Sequence, residues 1–181
     1  MQWNLIFEHE SVSALLGKLN HQEKTLLIAC YLYRQVRLLR RFDNVYATDL
    51  SSLFSRSLDI ALSGHRASVE AIERVVSSRI PDTEEYTEQE GAYAQNLVIA
   101  LDYFLLFLLE VDEAKLQSCI NMALQNLDLL NFEADEGYDE VKVTMGEIAV
   151  VSGLVADILS FRPSLDRGVD LLEGLVSEYK I

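Results

Sequence analysis

The feature that most limits the fold of this chain is an apolar run near its centre. All thirteen residues from Leu97 to Leu109 are apolar or aromatic except Asp102. Such a run must be shielded from water, either in a membrane or in a protein core. A membrane helix needs about 20 largely apolar residues, and a central aspartate costs roughly 2.5 to 3.5 kcal/mol on insertion scales. The run therefore predicts a core helix of a soluble protein.

Apolar residues recur at steps of three and four along most of the 181 residues. Leu116, Ile120, Ala123 and Leu127, for example, fall on one face of a helix. This spacing predicts helices over 4–19, 21–41, 48–63, 65–79, 88–110, 113–131, 138–160 and 164–179.

Residues 140–145 are the hardest segment to assign, because their valines alternate as in a strand. Helical spacing continues from Met145 to Ile158, so a helix is predicted there too. We therefore expect an all-α single domain over 1–181, an irregular bundle of seven to eight helices around the central apolar helix.

Capping boxes support two of the predicted helix starts. Asn20 with Glu23, and Thr87 with Glu90, have the spacing at which two side chains bond the first free backbone N–H groups.

The charge is unevenly distributed along the chain. Residues 1–80 hold ten basic and eight acidic residues, whereas residues 81–181 hold five basic and 21 acidic residues, and the net charge is -14. An acidic field repels nucleic acid and anionic lipid, so we expect neither a nucleic-acid nor a membrane partner. It leaves open self-association between the basic and acidic parts, and an acidic surface that mimics nucleic acid.

Localisation is predicted to be cytoplasmic. The first residues are acidic where a signal peptide is basic. Cys30 and Cys119 stand far apart without metal-ligand spacing, so neither a disulfide framework nor a zinc site is indicated.

Four arginines form the one basic cluster that suggests a binding surface. Arg34, Arg37, Arg40 and Arg41 lie within an arc of about 120° at the end of the predicted helix 21–41. Arginines there stabilise the helix dipole and pair with acids of the same chain, or they bind an anion or an acidic partner.

Asp102 and Tyr103 form a second candidate site in the apolar helix. Asp102 has only apolar residues three and four positions away, although Gln95 and Glu110 lie within about 80° of it. We expect Asp102 to sit at a narrow polar edge or to pair with an arginine of another helix. The alternative is an acid of raised pKa in a pocket.

Motifs for catalysis are missing from the sequence. The three histidines are dispersed, and no HExxH, GxSxG, Walker A or GxGxxG motif occurs. We therefore predict no metal, no cofactor and no catalytic residues. Gly146 and Gly153, seven residues apart, are interpreted as sites of close packing.

Three segments resemble a known family. Segment 79–104 has IPD before an acidic loop and GAY at the start of an apolar helix, and segments 21–36 (HQEKTLLIACYLYRQV) and 169–179 (VDLLEGLVSEY) complete the pattern. The chain resembles the YjaG-like bacterial proteins, a domain of unknown function. The resemblance implies a small, acidic, all-helical bacterial protein and supplies no activity or catalytic residue.

The sequence favours a non-enzymatic interaction or regulatory protein whose partner is another protein or a second copy of the chain. The competing hypothesis is a small-molecule-binding helical bundle, a class that includes an enzyme of unknown reaction. Its pocket would be lined by Asp102, Tyr103 and the arginines of 34–41.

Overall fold

The computed structural model describes residues 1–134, 137–161 and 168–181. Within these ranges the regular structure consists of ten α-helices, with no strand. They are α1 (Trp3–Phe7), α2 (Glu10–Leu16), α3 (His21–Tyr33), α4 (Val36–Tyr46), α5 (Leu50–Ser63), α6 (Arg66–Ser77), α7 (Gln89–Glu110), α8 (Glu113–Ala134), α9 (Glu140–Phe161) and α10 (Gly168–Leu175). The all-α prediction is confirmed, and residues 140–145 begin α9 rather than a strand.

The apolar helix predicted from the sequence is α7, which packs against α3, α4, α5, α6 and α8. Leu97, Leu101 and Phe104 of α7 are fully buried. Burying each such side chain stabilises the fold by roughly 1.5 to 3 kcal/mol, so α7 contributes much of the core. On the other side of α3, α9 packs against α1, α2 and α3, and α10 packs against α3 and α5.

By length and composition alone, α7 and α9 could each cross a membrane. Half of the apolar window of α7 and 33% of that of α9 are buried inside the protein. A core helix passes the same test of composition, and the burial of α7 is what a core helix requires.

The helix count differs from the predicted seven to eight because two predicted helices are interrupted. The helix predicted over 4–19 divides at His9, whose ring nitrogen accepts a hydrogen bond from the Ser11 N–H at 3.4 Å and caps α2. The helix predicted over 21–41 divides at Arg34 and Gln35, where the Gln35 N–H bonds the Leu32 carbonyl at 3.1 Å. No glycine or proline marks either break.

The second break is explained by the partners of the two side chains. Arg34 reaches Glu147 of α9, and the Gln35 side-chain amide donates to the Ala123 carbonyl of α8 at 3.0 Å. Both residues are buried. A continuous helix would turn their side chains in other directions, so the polar contacts favour a tight turn at this point.

Gln35 belongs to a buried amide network that joins α7 and α8 to the start of α4. The Asn126 amide donates to the Gln35 side-chain oxygen at 3.3 Å and to the Tyr93 carbonyl at 3.1 Å. The Asn126 oxygen accepts from the Asn96 amide at 3.0 Å. Since buried amides are costly when unpaired, this network favours one relative position of the three helices.

The helix starts agree only in part with the predicted capping boxes. Asn20 and Glu23 form both bonds of a capping box, at 2.9 and 2.8 Å. The box predicted at Thr87 and Glu90 is wrong, because α7 begins one residue later with Glu88 at its N-cap and no side-chain cap. Part of the helix predicted over 164–179 lies outside the described residues; α10 begins at Gly168 and ends at Leu175, and residues 176–179 form turns instead of the predicted helix.

Candidate functional site

A buried ion pair joins the end of α3 to the middle of α9. The two guanidinium nitrogens of Arg34 lie 2.5 and 3.2 Å from the two carboxylate oxygens of Glu147. Arg34 is 3% exposed, and Glu147 is also buried. This paired geometry is the strong form of the arginine–carboxylate contact.

Two tyrosines complete the surroundings of the pair. The Tyr31 hydroxyl donates to Glu147 at 2.7 Å, and the Arg34 Nε–H donates to the Tyr179 carbonyl at 2.9 Å. The Arg34 guanidinium also lies 5.4 Å from the centre of the Tyr31 ring. Burial, and then the negative charge of Glu147, hold the pKa of Tyr31 well above its usual value, so Tyr31 stays a donor.

Tyr179 of the C-terminal segment is bonded both to Arg34 and to α9. The Tyr179 hydroxyl donates to Asp157 of α9 at 3.0 Å. A Cβ at Gly153 would lie 2.5 Å from this hydroxyl oxygen, so a larger residue there would require the Tyr179 side chain to move. The predicted close approach is found at Gly153, although to the Tyr179 side chain and not to another helix; the prediction is wrong at Gly146, where a Cβ would meet nothing within 4 Å.

The four arginines do not form one surface. Arg34 is internal, while Arg37, Arg40 and Arg41 are exposed on α4, beyond the break. The Arg37 Nε–H donates to the Ile181 backbone oxygen at 2.6 Å. Among the described residues these three form no ion pair with a side-chain carboxylate, so internal pairing with an acid, one of the two predicted alternatives, holds for Arg34 alone.

Sequence reasoning missed Glu147, although one signal was present. Glu147 lies on the same helical face as Val151, Leu154 and Ile158, all of which are buried. A carboxylate at a core-facing position requires a cationic partner, and Arg34 continues the apolar face of α3.

Asp102 lies on α7 between α6 and α8, where its neighbours differ from those of Arg34. Its Oδ1 atom is buried without a hydrogen-bond partner in the part of the chain that the structure describes. Burial, and then the negative charge of Glu73, raise the pKa of Asp102 to about 6, while Lys115 lowers it. Among the described residues no arginine acts on Asp102, so the predicted pairing with an arginine of another helix is not seen there.

Tyr103 lies beside Asp102 in sequence and contacts the same side of α8. The Lys115 ammonium is 5.8 Å from the centre of the Tyr103 ring. The charged groups that act on Asp102 and Tyr103 belong to α6 and α8, whereas the bonding partners of Arg34 belong to α9 and the C-terminal segment. The structure thus gives the two halves of the predicted small-molecule pocket different neighbours.

Nucleophilic and metal chemistry have little support within the described ranges. Cys30 and Cys119 are free and fully buried, and burial raises the pKa of both thiols far above the usual value. Buried thiols of this kind are unreactive. No group of three or more histidine, cysteine or acidic residues comes together there as a metal ligand set.

Comparison of the chain with known protein families, with curated proteins and with solved structures found no match.

The contrast between buried and exposed arginines gives a first testable prediction. Replacing Arg34 by Met leaves the Glu147 charge buried without its partner, which should lower the free energy of unfolding by about 3 to 5 kcal/mol. Replacing Arg37 and Arg41 together should cost at most about 1 kcal/mol for each exposed residue. Urea unfolding followed by circular dichroism measures both, and equal losses in the two variants would contradict this account.

Asp102 gives a prediction that depends on pH. Its pKa of about 6 in the folded chain exceeds the ordinary value of 3.8, so the folded state binds the proton more tightly. Its stabilising contribution is complete below the ordinary pKa and is lost as pH rises through about 6. Replacing Asp102 by Asn should therefore raise stability above pH 6 by about 1 kcal/mol, allowing for partial solvent access, and should give no gain near pH 4.

Thermal unfolding across this pH range measures the effect. Glu110, which is exposed on the same helix, provides the matched control. Its replacement by Gln should not change how stability depends on pH in this range. A benefit of Asn at position 102 that is the same at every pH would show that the ionised carboxylate is not the cause.

Proposed function

We propose that this chain is a non-enzymatic interaction module that binds another protein through the outer face of α9. The outer face is defined by five residues at helical spacing, Val141, Met145, Ala149, Ser152 and Ala156. Val141 is 71% exposed and Met145 54% exposed. These residues lie within an arc of about 80°, so they form one continuous stripe.

The observation that carries the proposal is that this stripe, which is exposed except at the half-buried Ser152, is uncharged in a strongly acidic chain. From residue 143 to residue 156 the only charged residue is Glu147, which is buried in its pair with Arg34. Solvent-facing sides of helices normally carry charged and polar residues. An exposed apolar area beside an acidic remainder is typical of a contact surface with a polar rim.

Aromatic residues next to the first turn of α9 support the same proposal. Phe132, near the end of α8, is 69% exposed, and its ring centre lies 6.1 Å from that of Tyr138. Tyr138 precedes Val141 by three residues. Large aromatic and sulfur-containing side chains are the residues that contribute most at protein interfaces.

The remainder of the fold would serve as a rigid support for this face. We infer an irregular bundle around α7, in which the Arg34–Glu147 pair holds α9 in place from its inner side. Two free, buried cysteines suit the reducing cytoplasm, which is the proposed location. The resemblance to the YjaG-like family remains a prediction, and it supplies no activity that would argue for an enzyme.

Affinity capture of partners from the cytosol of the source cell tests the proposed surface. A charge introduced into an apolar contact must be desolvated, so replacing Met145 by Glu should reduce capture of a specific partner by about tenfold or more. Val45, which is 53% exposed on α4, provides a matched control, and its replacement by Glu should leave capture unchanged. Equal capture by all three proteins would contradict the proposal.

Light scattering across a salt series separates binding to itself from binding to another protein. If two copies meet through the outer face of α9, higher salt should favour association, because it screens the repulsion between two chains of charge -14. Contact between basic and acidic parts would instead weaken as salt is added.

A further inference from the structure

A separate cavity of about 240 Å³ opens near the C-terminal end of α7, where α1, α2, α3, α7 and α8 meet. Its floor consists of buried apolar side chains, among them Phe7, Leu27, Ile28 and Phe107. An engineered apolar cavity of about 150 Å³ holds benzene, so this one has room for a ring and several further atoms.

One wall of the cavity is flat and aromatic. The Trp3 indole stacks on the Phe7 ring, with the ring centres 4.3 Å apart and an angle of 8° between the planes. His21 and Phe107 stand near each other elsewhere in the lining, with ring centres 6.5 Å apart. Aromatic rings prefer offset or edge contacts with other rings, so this lining favours a planar apolar body.

The rim of the cavity carries two opposite charges. Lys24 lies in the second turn of α3, and Glu113 is the first residue of α8, and both are exposed. In the described parts of the chain neither side chain forms an ion pair or a hydrogen bond, in contrast to Arg34 and Glu147. Both charged groups therefore remain available to a ligand whose apolar part fills the cavity.

We propose that this cavity binds a free aromatic α-amino acid. The ligand's ring would occupy the apolar floor beside Trp3, its carboxylate would pair with Lys24, and its ammonium would pair with Glu113. In this arrangement both Lys24 and Glu113 have a partner of opposite charge. The ligand has no net charge, and neither does this pair of residues. A ligand with an aromatic ring and only one charged group leaves one rim charge without a partner.

Trp3 is the only tryptophan in the chain, so its fluorescence reports directly on the cavity. Three probes with the same ring separate the contributions of the charges: phenylalanine, phenethylamine without the carboxylate, and 3-phenylpropionate without the ammonium. Phenylalanine should bind about three to ten times more tightly than either of the others.

Two exposed substitutions test the pairing without disturbing the core. Lys24→Gln should weaken binding of phenylalanine and 3-phenylpropionate by about threefold or more and leave phenethylamine unchanged. Glu113→Gln should weaken binding of phenylalanine and phenethylamine and leave 3-phenylpropionate unchanged. Lys18→Gln and Glu110→Gln, at exposed positions outside the lining, are the matched controls and should change none of the three affinities.

Two results would overturn the proposal. One is an unchanged Trp3 signal with all three probes up to their solubility limits, which would show that the cavity takes no such ligand. The other is equal affinity for the three probes, or equal effects of the rim and control substitutions, which would show that the two charges do not select the ligand.

Discussion

The buried pair of Arg34 and Glu147 is the contact on which the arrangement of the other elements depends. Removing two charges from water costs several kcal/mol each, and only close pairing with further hydrogen bonds offsets that cost. Here the further bonds come from the Tyr31 hydroxyl and the Tyr179 carbonyl. Because the four groups belong to α3, α9 and the C-terminal segment, satisfying the charges also defines how these segments meet. The outer face of α9 is exposed as a consequence, since its inner face is held by the pair.

The same contact explains why α3 and α4 are two helices. Arg34 and Gln35 adjoin in sequence but bond different partners, Glu147 on α9 and the amide network around Asn126 on α8. Apolar contacts alone would allow the helices several relative positions, whereas these polar contacts are satisfied in only one of those positions. Arg34 and Gln35 are both good helix formers. The tight turn at these two residues is therefore favoured by their tertiary hydrogen bonds and not by a local preference for ending a helix.

Periodicity in the sequence was sufficient to predict an all-helical chain and the burial of Leu97 and Phe104, because both follow from the need to cover apolar faces. It was insufficient at Arg34, where spacing placed the side chain in a basic cluster while the structure buries it. The sequence separates Arg34 and Glu147 by more than a hundred positions, so the core-facing carboxylate on α9 indicated a need for a cationic partner but not which residue supplies it. The cavity beside Trp3 was missed for a related reason: five helices contribute to its lining, and only their packing brings Lys24 and Glu113 to one rim.

A double-mutant cycle tests most directly whether Arg34 and Glu147 act as one unit. The four proteins are the wild type, Arg34→Met, Glu147→Met and the variant with both changes, and the quantity measured is the free energy of unfolding in urea. If the pair is the organising contact, the double variant should be more stable than the sum of the two single losses implies, by about 1.5 kcal/mol or more. Losses that add within about 0.5 kcal/mol would show that the two residues act independently, and would contradict this account of the fold.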